Sequence, residues 1–165
     1  DVCSSDLEDQ LDDLKALGIM PSFFVAHVYY WGDVHIKNYG MERASKISLA
    51  KSAQDKGILY TFHQDSPVIE PNMLETIWCA VNRITKNGVL LGEEERVSPL
   101  DALKAVTKNA AYQYFEEDIK GTLKEGKLAD LVILDKNILK VDPMEIKDIQ
   151  VLETIKEGET IFKKQ

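Results

Sequence analysis

A chain of 165 residues, 44% hydrophobic and 29% charged, is long enough for one domain with a sizeable core and has no low-complexity tract. Its net charge of −8 argues against a nucleic-acid surface, which needs clustered Lys and Arg, and no apolar run approaches the ~20 residues that span a bilayer. Cys3 and Cys79 are too few for a disulfide scaffold and fit no zinc spacing, and no secretory leader is evident, so reduced thiols and a cytoplasmic location are expected.

Residues 1–7 (DVCSSDL) have no apolar periodicity and are expected to be a disordered or non-native tail. Leu7, Leu11, Leu14 and Leu17 fall at helical spacing before Gly18, a natural helix stop. Residues 19–28 read as a strand, followed by a long loop over 26–35 rich in aromatic and ionisable groups, with Gly32 permitting a turn. A second helix is predicted over 41–56, a strand over 58–62 and a third helix over 72–85 with Asn72 as its cap. Trp78 and Cys79 read as core, and Glu93-Glu94-Glu95 as a solvated loop. Ser98-Pro99 opens a fourth helix running to Tyr114. From Gly121 the pattern changes to a two-glycine turn with Lys127 at the surface, a buried strand over 131–134 and a hairpin over 151–163.

Successive helix–strand units imply a parallel sheet, and the three C-terminal strands a separate antiparallel element. Two parallel strands cannot cover themselves, so a slice of a larger α/β fold is expected, with unpaired edges and low stability or self-association. The organising stretch is Ile58 to Val68, where an apolar strand ends in His63-Gln64-Asp65-Ser66-Pro67. Polar side chains at the carboxyl end of a parallel strand are where sites form in such folds. Asp65 can bind a metal or move a proton there, or it can cap the turn that follows.

The run GTLKEGKLADLVILD (121–135) resembles the closing motif of metal-dependent amidohydrolases. PSFFVAHVYYWGDVH (21–35) with HQDSPV (63–68) is similar to their YtcJ-like, amidohydrolase-3 branch, which includes N-substituted formamide deformylase-like proteins. The resemblance implies a (β/α)8 TIM barrel, with strands 7 and 8 at 19–28 and 58–62, over residues 8–118. Residues 119–165 would then belong to a small β-sandwich domain. It implies hydrolysis of amide-like C–N bonds of a small molecule on one or two divalent metals, usually zinc. Asp65 would be a metal ligand and the catalytic proton shuttle, and His27 would face the substrate; Tyr30 and Trp31 could wall the pocket, Asp33 or His35 could add a polar anchor, and His63, which the family does not require, could contact substrate, support Asp65, bind a metal or simply pack. No His-x-His occurs in the sequence, so the family's other ligands and its N-terminal barrel portion must come from elsewhere. The alternative is an inactive truncated module, or a piece that docks on a partner. Neither nucleic acid nor membrane is expected as a partner.

Overall fold

The computed structural model describes residues 9–165, and the tail expected at 1–7 lies outside the described residues. Helix α1 (Gln10–Leu17) is capped by Asp9, buries Leu11 and Leu14, and stops at Gly18 in the left-handed conformation. Of the strand expected over 19–28, only β1 (Ser22–Phe23) forms. The His27 amide then donates to the Phe24 carbonyl at 3.0 Å, and the Val28 amide to Val25 at 3.1 Å. These turns lead into α2 (His27–Ala44), so the expected aromatic loop is a helix.

The reason is a spacing of four. His27, Trp31, His35, Tyr39 and Arg43 lie one helical turn apart, where side chains meet. His27 packs on Trp31 at 4.8 Å, His35 stacks on Tyr39 at 5.9 Å, and the Arg43 guanidinium lies 5.4 Å from the Tyr39 ring centre. Gly32 does not serve a turn either. A Cβ there would stand 2.6 Å from Thr85 Cγ2 and 3.0 Å from Leu91 Cδ2, so its bareness allows close helix packing.

The helix predicted over 41–56 is two pieces. Helix α2 deviates at Gly40 (φ 78°) and ends at Ala44, and α3 (Ala50–Asp55) starts afresh. The carbonyls of Ser45, Ile47 and Ser48 between them accept from the buried Arg83 guanidinium, and Ser48 also accepts from the Ala50 amide at 2.8 Å. Strand β2 (Thr61–Phe62) then pairs in parallel with β1, Ser22 opposite Thr61 and Phe23 opposite Phe62.

Helix α4 (Met73–Asn82) is capped by Asn72, which accepts from the Leu74 and Glu75 amides, and it buries every residue from Thr76 to Asn82, including Trp78 and Cys79. Glu95, expected in a solvated loop, is buried. Its carboxylate accepts from the Lys51 and Ser52 amides, each at 3.0 Å, and so caps α3, which lacks a side-chain cap of its own. Ser98 and Pro99 open α5 (Pro99–Ala105) as predicted, but the helix breaks before α6 (Lys108–Gln113).

Strands β3 (Leu131–Leu134), β4 (Val151–Lys156) and β5 (Glu159–Lys163) form the expected antiparallel element in the order β3-β4-β5. Glu157 and Gly158, both at positive φ, make its hairpin turn. β3 is not the buried strand expected: Val132 and Ile133 are 56% and 44% exposed, because among the described residues no second layer covers the sheet. A 3-10 stretch, Pro143–Asp148, ties this region to α4: Trp78 Nε1 donates to the Met144 carbonyl at 3.1 Å and Asn82 Nδ2 to Pro143 at 2.9 Å. Ile138, Ile146 and Ile149 join the core there. Lys127, expected at the surface, is half-buried, and its ammonium donates to the Glu117 and Lys120 carbonyls. No helix among the described residues is long and apolar enough to cross a membrane.

Candidate active site

The parallel pair fixes the site. The His63 amide donates to the Phe23 carbonyl at 3.2 Å, which places His63 directly past β2, while His27 starts α2 four residues past β1. Both histidines therefore stand at the carboxyl ends of the two strands. Phe24 packs between them, its ring centre 4.6 Å from that of His27 and 5.4 Å from that of His63. Asp65 lies in the left-handed region (φ 50°), which Asp tolerates better than most residues, and the Val68 amide closes a turn onto its carbonyl at 2.8 Å. β2 ends at Phe62, so Asp65 lies beyond the extended strand, yet it lines one cleft of about 570 Å³ together with His63, Ser22, Thr61 and Gln113.

Electrostatics join the group. Burial holds the His63 imidazolium pKa below the usual histidine value, and Asp65 opposes that shift. Burial also lowers His27, helped by His35 and His63 and opposed by Asp65. His35, lowered by burial, meets His27 directly: its Nε2 lies 3.4 Å from His27 Nδ1. An exposed carboxylate thus shares the cleft with an imidazole held toward the neutral form, a pair able to accept, hold and return a proton.

The other expected substrate contacts each have partners within the fold. The Tyr30 hydroxyl donates to Glu75 Oε1 at 2.6 Å, which pushes its pKa well up. Asp33 accepts from Thr85 Oγ1 at 2.8 Å and from the Asn87 amide at 3.3 Å, clamping α2 to that turn. Trp31 packs among Phe24, His27 and Tyr30. Sequence reasoning missed Ser22, whose Oγ lies 2.9 Å from His63 Nδ1; the one signal was a hydroxyl inside an apolar strand. It also missed Gln64, buried and donating to Thr76 Oγ1 at 2.9 Å, which anchors the segment between His63 and Asp65 to α4.

These residues do not make a metal centre by themselves. Among the described residues no group of three or more His, Cys, Asp or Glu side chains stands close enough to hold an ion, whereas a catalytic zinc takes about three protein ligands. His27, His35 and His63 do not form such a group with Asp65.

A family model, the amidohydrolase-3 type described as Amidohydrolase family, matches residues 2–162. This chain belongs to the amidohydrolase family. It is 30% identical over 129 residues to N-substituted formamide deformylase of Arthrobacter pascens, covering 78% of this chain and 24% of that protein. It is 28% identical over 152 residues to the putative amidohydrolase YtcJ of Bacillus subtilis, covering 90% of this chain and 28% of that one. The chain therefore spans about a quarter of the length of these curated relatives. Its fold is also similar to an uncharacterized metal-dependent hydrolase from Pyrococcus horikoshii. The TM-score is 0.71 at 28% identity, covering 83% of this chain and 28% of that one. This amidohydrolase chain is thus a mixed α/β structure related to hydrolases.

Proposed function

We propose that this chain carries one end of the active site of a hydrolase acting on an amide-like C–N bond of a small molecule. Residues 8–118 are read as part of a (β/α)8 barrel, with β1 and β2 as neighbouring strands, and residues 119–165 as part of a β-sandwich domain. The observation that carries the reading is the placement of Asp65 and His63 in one cleft past β2, with His27 past the neighbouring β1, at the carboxyl ends of a parallel pair in a chain of this family. Membership brings an expectation of a divalent metal, zinc in the reading from sequence. The described residues do not fit one alone, so a metal would need donors from outside them, with Asp65 as one ligand.

The roles proposed for this chain's own residues are proton transfer and orientation. The Asp65 carboxylate takes the proton of the attacking water and delivers it to the leaving amine. His63, tied to Ser22, supports Asp65, and His27 orients the substrate carbonyl. The cleft beside β2 admits a small molecule. Deformylation by the Arthrobacter pascens relative makes an N-substituted formamide the first substrate to try. The test is amine release from such a formamide by this chain combined with the polypeptide supplying the remaining barrel strands. Asp65→Asn should lower the rate by about 100-fold or more, as loss of a positioned acid–base does. An undiminished rate would overturn the role of Asp65.

A further inference from the structure

We propose that His35 is a positioning residue: through its Nε2, 3.4 Å from His27 Nδ1, it donates a hydrogen bond that keeps the proton of His27 on Nε2. The function of this bond rests on the reading above, in which His27 orients a carbonyl. The direction of the bond rests on that reading too, and the nitrogen-to-nitrogen contact rests on geometry alone.

A neutral imidazole has one N–H and one bare nitrogen, and the partner of one nitrogen decides the state of the other. Two rings meeting nitrogen to nitrogen must split the roles, one donating and one accepting. The His27 and His35 rings lie nearly parallel, 14° apart, with centres at 5.6 Å. With His35 donating, each ring carries its proton on Nε2, and His27 keeps an N–H able to reach a carbonyl oxygen. With the roles reversed, His27 Nε2 would be bare and would repel that oxygen.

Both rings are braced. His27 is held between Phe24 at 4.6 Å and Trp31 at 4.8 Å, and His35 lies against Tyr39 at 5.9 Å. Rotating either ring out of the pair would break these contacts. The surroundings also favour neutral rings. Burial lowers both, His35 further disfavours charge on His27, and His27 opens α2, where the positive end of the helix dipole opposes an imidazolium. His35 was one ionisable group among several in a presumed loop. The helix makes it the partner of His27, two turns away along the same stack.

The test is histidine-selective nitrogen NMR on this chain, above the usual histidine pKa. It needs neither metal nor substrate, so its failure is separate from a failure to hydrolyse amides. Expected in the wild type is a bare, hydrogen-bonded Nδ1 on His27 with a through-bond coupling to His35 Nε2. His35→Ala should abolish the coupling and move the His27 Nδ1 shift toward that of exchanging tautomers. His35→Gln, whose amide N–H can reach the same nitrogen, should restore the shift; it also answers the case in which the alanine variant does not fold. A protonated Nδ1 on His27 in the wild type would overturn the proposal. So would identical His27 shifts in wild type and His35→Ala, or a His35→Gln protein that folds without restoring the shift.

Discussion

Arg83 is 0% exposed, yet it carries a charge inside the core. Its guanidinium donates to four backbone carbonyls, those of Leu91, Ser48, Ser45 and Ile47, at 2.8 to 3.2 Å. Burial pulls its pKa down to about 10, and Glu95 and Glu94 oppose the shift, so it stays charged at neutral pH. Arg83→Met would take a donor from all four carbonyls, of which Ser48 keeps another, the Ala50 amide at 2.8 Å, and should cost at least about 3 kcal/mol, read as a lower urea midpoint. Gly92 is bound to the same cluster. It sits at φ 71°, and a Cβ there would lie 2.3 Å from the Ser45 carbonyl oxygen and 2.8 Å from Arg83 Nη2. Gly92→Ala should therefore destabilise the chain by about 1–3 kcal/mol in the same measurement. The three histidines give a pH dependence. Their folded pKa values lie below the ordinary 6.5, so the unfolded chain binds more protons between those values and 6.5. Their contribution is fully present above pH 6.5 and is lost as pH falls below it. Urea midpoints should drop from about pH 7 to about pH 5, above the range where ordinary carboxylates titrate. The slope should flatten in His27→Gln.

At the scale of elements, termini were legible where one side chain decides them. Gly18, Asn72 and Ser98-Pro99 each act locally, and each stands where the sequence places it. The hairpin turn at Glu157-Gly158 is local in the same way. What failed depended on distant partners. The break between α2 and α3 exists because Arg83, more than thirty residues on, takes the intervening carbonyls, and the burial of Glu95 because α3 needs a cap. The helix over 27–44 was legible in principle through its fourfold spacing. A rich mixture of aromatic and ionisable residues suggested a loop because composition was weighed above period. The placement of His27, His63 and Asp65 past the two parallel strands was legible in the sequence. The partners of Tyr30 and Asp33 were not legible, because Glu75, Thr85 and Asn87 are remote in sequence. Glu95→Ala tests the long-range cap. With the Lys51 and Ser52 amides unpaired, α3 should lose about 1–3 kcal/mol, seen as faster amide exchange at those positions.

On the scale of the whole molecule, much apolar surface lies open. Among the described residues the parallel sheet has two strands, so each strand has one unpaired edge. Phe115 and Leu123 are 91% and 86% exposed, and Ile161 and Phe162 on β5 are 63% and 50% exposed. Open edges beside such surface favour pairing with other chains. Sedimentation should therefore show self-association rising with concentration, and a monomer that unfolds in one cooperative step would contradict this. The proposed metal site agrees with this view, since it takes donors from outside the described residues. The most direct test is the zinc content of the dialysed chain, by elemental analysis, in wild type and Asp65→Ala. Less than one equivalent in both is the expected result, because His27, His35, His63 and Asp65 do not converge on one ion. One full equivalent in the wild type, lost in Asp65→Ala, would mean that this chain builds a metal centre by itself.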